Sequence, residues 1–344
     1  MNIHRPSSRS LIAALLIFTA AVLTAESAAT LVNNMGKAIG ASRFNPSFPY
    51  ALTWKGAADF ASLEPSSYAH VPTLDETRIQ TRDNPRLQSV LLNNDIFALY
   101  GKPDARNMGI VGQYSLTEIE SVMNEFVESY DKANGDRGVI PAFYLIYGTC
   151  WPEGEIGILR DALIVSYIEF ALERGWYVFL DHQIGKHSVE TSVKQLLPWL
   201  KYPNVHLALD PEWRTTRPMQ EIGSVTGAEL NIAQNMIQEY IISHDLPGRR
   251  MLVVHQFKPR MILNRAEVQS DFERVKLIHC ADGFGSPALK KRAYAANAEA
   301  NNIPLKSFKL FLKPTIAGAG WDSPLMTPEE VLSLDPRPYL IMYQ

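Results

Sequence analysis

The chain has 344 residues, of which 46% are hydrophobic and 20% are charged, and its formal net charge at pH 7 is −3. This composition is typical of globular proteins and excludes an intrinsically disordered chain. The sequence has no long basic run with interleaved aromatic residues, so we predict no nucleic-acid partner.

The N-terminus has the pattern of an export signal. Arg5 and Arg9 precede an apolar stretch from Leu11 to Leu23, and small residues follow it. This stretch is shorter than the roughly 20 residues that a membrane-spanning helix needs. We therefore predict a signal peptide over residues 1–29, an exported (periplasmic or extracellular) protein, and no stable membrane insertion after its removal.

Residues 30–94 are rich in turn-forming residues and show no sustained hydrophobic period. We predict an irregular N-terminal extension that wraps the main domain, with one short helix around Arg86 to Leu92.

From residue 95 onward, short apolar runs alternate with helical patterns. We predict strands at 95–101, 139–148, 176–182, 205–210, 250–257, 275–282, 307–313 and 338–344. The helices between them are expected at 115–135, 158–175, 188–202, 226–245, 287–300 and 327–334, with a shorter one within 261–272.

Strands that are apolar on both faces and separated by helices indicate a parallel sheet with crossover helices. The alternative is an open doubly wound sheet, which usually carries a glycine-rich phosphate turn after its first strand, and Tyr100 to Pro103 is no such turn. Eight units close a barrel. We therefore predict an α/β fold, a (β/α)8 TIM-type barrel that forms a catalytic domain over residues 95–344.

In such a barrel, reactive groups come from the carboxyl ends of the strands and the loops after them. Polar and ionisable residues are concentrated at these ends: Tyr147, Asp181, His182, Gln183, Asp210, Glu212, His255, Gln256, Asp282, Lys313 and Tyr343. We predict an active site at this rim. Asp282 has an alternative role as a helix cap, and Lys313 as an ion-pair partner of one of the acids.

The fourth strand runs directly into two acids in the stretch HLALDPEW. In an extended chain, residues two apart point the same way, so Asp210 and Glu212 should face one side while Leu207 and Leu209 face the other. If the leucines pack on the helices, both carboxyls point into the barrel mouth. Their proximity should raise one pKa and place a proton donor beside an anion, which suits cleavage of a glycosidic bond.

The Asp-Pro-Glu motif of Asp210 and Glu212 resembles the closing Asp-x-Glu of the chitinase-like glycoside hydrolase barrels. The resemblance implies that Glu212 is the general acid and that Asp210 orients an acetamido group of the substrate. Ala208 stands where that family carries another Asp. The phrases FLDHQIG, LALDPEW, VVHQF and DGFGSP are also similar to an uncharacterised exported bacterial family, a resemblance that implies no activity.

These patterns predict a glycoside-hydrolase-like enzyme with a carbohydrate substrate and no cofactor or metal. We assign catalytic roles to Glu212, Asp210 and Asp181. Substrate contacts are expected from His182, Gln183, Trp213, His255, Gln256, Asp282, Lys313, Tyr147 and Tyr343. Aromatic residues that follow strand ends fit stacking on sugar rings or anchoring of loops: Trp151, Trp213, Phe257, Phe284 and Trp321.

Two other functions remain open at this stage. A metal-dependent hydrolase would use the rim acids and histidines as ligands, although the sequence has no His-x-His pair and no HExxH motif. A non-catalytic carbohydrate-binding barrel would use the aromatic loops alone. Cys150 and Cys280 are expected at distant strand ends, which disfavours a disulfide between them. The sequence leaves the oligomeric state open.

Overall fold

The computed structural model describes residues 90–314 and 319–344. The predicted signal peptide and nearly all of the predicted N-terminal extension lie outside these residues. Within the described ranges, no helix has both the length and the apolar character needed to cross a membrane.

Eight parallel strands of the nine-stranded described sheet close into a barrel. The strands are β1 (Asn94–Gly101), β2 (Gly138–Cys150), β3 (Tyr177–His182), β4 (Val205–Leu209), β5 (Arg250–Gln256), β6 (Val275–Ala281), β7 (Leu305–Leu310) and β8 (Leu340–Tyr343). Each strand pairs with the next, and β8 pairs back onto β1 with Tyr343 opposite Leu99. The predicted (β/α)8 barrel is confirmed.

The helices between the strands are α1 (Leu116–Ala133), α2 (Asp161–Glu173), α3 (Val189–Leu196), α4 (Gly227–Ser243), α5 (Pro287–Ala298) and α6 (Pro328–Leu332). Local sequence sets several of their starts, because Ser115 with Glu118 and Thr226 with Glu229 form capping boxes that satisfy free backbone N–H groups.

Short elements complete the described chain. The 3-10 turns are Val90–Leu92, Ile110–Gln113, Leu197–Lys201, Pro211–Trp213, Pro259–Met261 and Arg265–Glu267. Ile156–Ile158 adds an antiparallel strand to β2, and Val225–Thr226 pairs with Ile262–Leu263 outside the barrel.

Two predicted elements are wrong in detail. The helix expected within 261–272 does not form, because Ile262–Leu263 pairs as a strand and Asn264 takes a left-handed backbone conformation with φ of 51°. The seventh strand was expected to end at Lys313, whereas β7 ends at Leu310. Lys313 therefore lies in the loop after that strand.

Alternation along the strands divides the apolar core into two layers. Outward residues such as Leu207 and Leu209 pack with the helices, as the sequence predicted. Inward residues such as Tyr100, Tyr144 and Ala208 fill the barrel interior. Polar side chains at the carboxyl end of the interior therefore meet at the mouth of the barrel.

Candidate active site

Eight side chains converge at the mouth of the barrel, and we call them the mouth cluster: Tyr100, Tyr144, Asp181, Asp210, Glu212, His255, Asp282 and Lys309. All of them except Glu212 are at most 4% exposed. Most lie on strands, where the two-residue period directs them inward while their neighbours pack on the helices. Lys309, for example, is flanked by Phe308 and Leu310 of the outer core.

His255 lies at the centre of the mouth cluster. Its Nδ1 is 2.9 Å from Asp282 Oδ2, and its Nε2 is 2.7 Å from the Tyr144 hydroxyl and 3.7 Å from Asp181 Oδ2. Burial acts to lower the pKa of His255, but the charge of Asp181 and the hydrogen bond to Asp282 outweigh it and raise that pKa well above its usual value. His255 is therefore an imidazolium that links two carboxyl groups.

A second buried cation, Lys309, pairs with the carboxylate of Asp282. Its Nζ lies 3.1 Å from Asp282 Oδ2 and 3.9 Å from the centroid of the Tyr100 ring. Burial favours a lower pKa for Lys309, but Asp282, Asp210 and Asp181 together raise it. Burial alone would raise the pKa of Asp282, yet Lys309 and the hydrogen bond from His255 lower it. Asp282 is thus an ionised partner shared by two cations.

The structure distinguishes between the two predicted roles of Asp282, a site residue and a helix cap. The helix-capping alternative does not hold, because the N-cap of α5 is Ser286. The second oxygen of Asp282, Oδ1, accepts a hydrogen bond of 2.7 Å from the backbone N–H of Gly283.

Asp181 is buried with one oxygen paired and one oxygen unpaired. The Tyr100 hydroxyl donates to Oδ2 at 3.1 Å, whereas Oδ1 has no hydrogen-bond partner among the described residues. Burial raises the pKa of Asp181, against the opposing charges of His255 and Lys309. Burial and then the charge of Asp181 raise the pKa of both Tyr100 and Tyr144, so these hydroxyls stay protonated.

The chain turns sharply after Asp210. The sequence predicted an extended backbone through Glu212, but Pro211–Trp213 forms a 3-10 turn and Asp210 Oδ1 accepts a 3.2 Å hydrogen bond from the Glu212 N–H. Asp210 therefore caps the turn that Pro211 begins, which is the physical reason for the difference.

Both acids of this turn still face the mouth cluster. Burial, followed by the charge of Asp282, raises the pKa of Glu212 to about 7. Burial also raises the pKa of Asp210, with His255 opposing and Glu212 adding to the rise. The predicted effect of two neighbouring carboxyl groups is thus present, but burial is its larger cause.

Contacts to α4 hold the loop that carries Glu212. The Glu212 carbonyl accepts a 2.6 Å hydrogen bond from Gly223 N–H. Arg214 donates to the Ser224 carbonyl at 3.0 Å and pairs with Glu229, the capping-box residue of α4, at 2.5 Å. The position of Glu212 therefore depends on contacts at the start of α4 as well as on β4.

Several predicted site residues lie on the other side of the barrel wall. Tyr147 donates from its hydroxyl to the Gln195 carbonyl at 3.1 Å, and His182 Nε2 lies 2.8 Å from Gln195 Oε1. Tyr343 lies in the outer core with its hydroxyl 2.9 Å from that of Tyr130. Each follows an inward-facing residue along its strand, so the two-residue period turns it outward.

The two predicted glutamines also make structural contacts. Gln183 accepts a 2.9 Å hydrogen bond from Cys150 N–H, and Gln256 donates to the carbonyls of Lys258 and Pro259. The structure does not bring these glutamines, or Tyr147, His182 and Tyr343, to the mouth cluster.

Two further predicted residues lie in loops of the rim. Trp213 is half-buried in the turn that carries Glu212, and its carbonyl lies 4.0 Å from Cys150 Sγ. Lys313 is exposed, with its Nζ 5.5 Å from the centroid of the Trp321 ring.

The sequence prediction missed Tyr144 and Lys309, and it did not assign Tyr100 to the site. The sequence does contain a signal for Lys309. It lies two residues after Ser307 and between two apolar residues that face the helices, so the two-residue period of the strand turns its side chain into the barrel.

The structure also bears on the disulfide that the sequence disfavoured and on the alternative of a metal site. Cys150 and Cys280 are both buried and free. Within the described ranges, no group of three or more His, Cys, Asp or Glu side chains is arranged to hold a metal ion. The positive charges among the carboxyl groups come from Lys309 and His255.

No protein-family model and no curated protein matches the chain. The solved structures that it resembles are GH18 chitinases and other glycoside hydrolases. They include a chitinase from Rhizomucor miehei (12% identity, TM-score 0.38, covering 72% of this chain and 93% of that chain). A GH18 chitinase from Pseudoalteromonas aurantia has 8% identity and a TM-score of 0.40, with the same coverage of 72% and 93%. GH26C from Muricauda sp. has 11% identity and a TM-score of 0.36, covering 78% and 83%. Because these identities and TM-scores are low, the fold is assigned from the strand pairing and the chemistry is inferred from the mouth cluster.

Proposed function

We propose that the protein is a glycosidase in which Glu212 is the general acid. One observation carries the proposal: Glu212 is the single carboxyl group of the mouth cluster that reaches solvent, whereas Asp181, Asp210 and Asp282 are at most 4% exposed. A proton donor in glycoside hydrolysis needs this intermediate position. It must be buried enough to hold its proton and open enough to touch the leaving-group oxygen.

The electrostatics of the site support this role. A pKa of about 7 leaves about half of Glu212 protonated in neutral solution and most of it protonated in mildly acidic solution. In the proposed reaction, Glu212 transfers its proton to the glycosidic oxygen as the bond between that oxygen and the anomeric carbon breaks. Water then forms a bond to the anomeric carbon, and the proton that it loses passes to a carboxylate of the site, so that the proton donor is restored.

Positive charge develops on the sugar ring as the bond breaks, and the ionised Asp282, whose charge acts on Glu212, can stabilise it, whereas the raised pKa of Asp210 favours its protonated form. Asp210 is fixed by the hydrogen bond from Glu212 N–H, and Asp181 lies close enough to influence its pKa. His255 and Lys309 offset part of the negative charge of the three aspartates. The two cations thereby keep Asp282 ionised in a buried site.

We also propose that the protein acts outside the cytoplasm. The signal pattern of residues 1–29 supports this location, and a polysaccharide substrate suits it.

The test is the variant Glu212→Gln, which keeps the shape of the side chain and removes the transferable proton. A panel of polysaccharides and chromogenic glycosides first identifies a cleaved substrate. Turnover of an unactivated glycoside should then fall by about 10²–10⁴-fold while binding survives. The loss should be much smaller for an aryl glycoside whose acidic phenol leaves without protonation, which a merely structural role would not produce.

The matched control is Glu125→Gln, at an exposed glutamate of α1, and it should leave turnover unchanged. Full turnover by Glu212→Gln, or a wild-type protein that cleaves no glycoside of the panel, would overturn the proposal.

A further inference from the structure

The exposed charges of the rim are predominantly basic. Five basic side chains on the loops at the carboxyl ends of the strands, four of them exposed and Lys102 half-buried, make no ion pair with a described residue: Lys102, Arg106, Lys258, Arg260 and Lys313. Three acids on these loops are each neutralised by a basic neighbour: Asp104 by Arg160, Glu155 by Lys186 and Glu221 by Arg217. Glu153 and Glu267 on these loops have no such described partner, and Glu118, in the first turn of α1, carries a negative charge that interacts with Arg106. The rim is therefore positive on a chain whose net charge is −3.

Two of these lysines lie beside exposed tryptophans. Lys102 Nζ is 5.4 Å from the ring centroid of Trp151, which is 49% exposed. Lys313 Nζ is 5.5 Å from the ring centroid of Trp321, which is 38% exposed. Each ammonium group lies over its indole ring, and the face of the indole that it does not cover can stack on the C–H face of a sugar ring. The adjacent ammonium group can then reach an anionic substituent at the edge of that ring.

A cavity of about 260 Å³ lies between the loop after β1 and the loop after β7. Arg106 and Lys313 line it with two positive side chains, and Asn107 and Gln113 add amide groups. Phe311 also lines the cavity, and its ring centroid is 5.0 Å from Lys309 Nζ. The cavity therefore adjoins the mouth cluster, with the Phe311 ring between them.

The basic rim also acts on the proposed proton donor. The charge of Lys258 is one of those that oppose the rise in the pKa of Glu212, although burial and Asp282 outweigh it. Cationic groups thus lie at two exposed indoles and in the adjoining cavity, and one of them acts on Glu212.

We propose that the substrate is an anionic polysaccharide, with carboxylate or sulfate groups on its rings, that binds across the rim through the Lys102–Trp151 pair, Arg106 and Lys313. Its cleavage rests on the proposed function, whereas its binding does not. A neutral glycan would use the indoles and leave the basic side chains without a partner. An anionic glycan uses both, and the attraction also speeds its encounter with the rim.

The test measures binding to purified Glu212→Gln by titration calorimetry, so that turnover does not interfere. The probes are polygalacturonate for carboxylate, carrageenan for sulfate and unsubstituted galactan as the neutral polymer. At least one anionic polymer should bind more than about tenfold tighter than galactan at low ionic strength, with an affinity that falls as salt is added.

The double substitution Lys102→Gln and Lys313→Gln should weaken anionic binding by about tenfold and reduce its salt dependence. Galactan binding should not change. Lys132→Gln, at an exposed lysine on α1, is the matched control and should leave both affinities unchanged.

Equal affinity for galactan and the anionic polymers, an unchanged double variant, or equal binding of a single-stranded DNA would overturn the inference. Cleavage of neutral glycans without preference for anionic ones would overturn it and leave the proposed function intact. Binding of an anionic polymer without cleavage of any glycoside would support the inference and overturn the proposed function.

Discussion

Replacing Lys309 by methionine should strongly destabilise the barrel. Lys309 and Asp282 are 3% and 4% exposed, and their charged atoms lie 3.1 Å apart. Removing one partner of a buried ion pair costs about 3–5 kcal/mol, because the other charge stays buried without compensation. Asp282 keeps its hydrogen bonds to His255 and Gly283, so we expect the lower end, about 3 kcal/mol. For a domain of this size, that loss lowers the midpoint of thermal unfolding by about 6–12 °C.

The assay is thermal and urea unfolding of the purified chain, with the variant compared with wild type at neutral pH. Adding Asp282→Asn to Lys309→Met removes the uncompensated charge and should restore part of the lost stability, a result that simple mispacking would not give. Lys132→Met at an exposed site is the control and should change the stability by less than about 0.5 kcal/mol. A Lys309→Met variant that unfolds with wild-type stability would refute the charge arrangement of the mouth cluster.

Three other outcomes follow from the fold, the N-terminus and the cluster. Deleting residues 338–344 removes β8, which closes the barrel between β7 and β1, so soluble folding should be lost; a truncated protein with unchanged thermal unfolding would contradict the closed barrel. Expression with the native leader should give a species outside the cytoplasm that lacks roughly the first 25 to 29 residues, detected by N-terminal sequencing, whereas an intact N-terminus in the membrane fraction would favour an anchor. Because Lys309 and His255 supply the positive charges of the cluster, a chelator should leave glycoside hydrolysis unchanged; a loss restored by zinc or manganese would favour the metal-dependent hydrolase.

The barrel could be predicted from the sequence because each level of pattern pointed to the same fold. The strands are apolar on both faces, and helices such as α1 and α4 begin at capping boxes that are visible in the sequence. The element missed within 261–272 has buried residues at helical spacing, Met261 and Val268 among them. Its strand pairing with Val225–Thr226 is a tertiary contact that local pattern does not encode.

The candidate site was predicted in part. Asp181, Asp210, Glu212, His255 and Asp282 were identified because strand ends supply the reactive groups of such barrels. Being at a strand end does not decide which side of the wall a residue faces. Adjacent pairs such as Asp181 with His182 were therefore assigned together, although only the first member faces inward. The pairing of Lys309 with Asp282 depends on where β7 ends, and placing that end at Lys313 concealed it.

The titration of Glu212 should make the free energy of unfolding depend on pH, and this dependence can be measured without a substrate. Burial raises the pKa of Glu212 from an ordinary 4.5 to about 7, so between these values the folded chain binds more protons at this group than the unfolded chain does. Stability contributed by Glu212 therefore falls as the pH rises through that window.

Glu212→Gln lacks this titration, so its stability relative to wild type should increase between pH 4.5 and pH 7.5. The gain should be on the order of 1–2 kcal/mol, below the full linkage value because Glu212 keeps some contact with solvent. Urea unfolding of both proteins across this range, with Glu153→Gln as the exposed control, measures the difference. If the gap between Glu212→Gln and wild type stays constant with pH, Glu212 does not retain its proton at neutral pH and loses its role as the general acid.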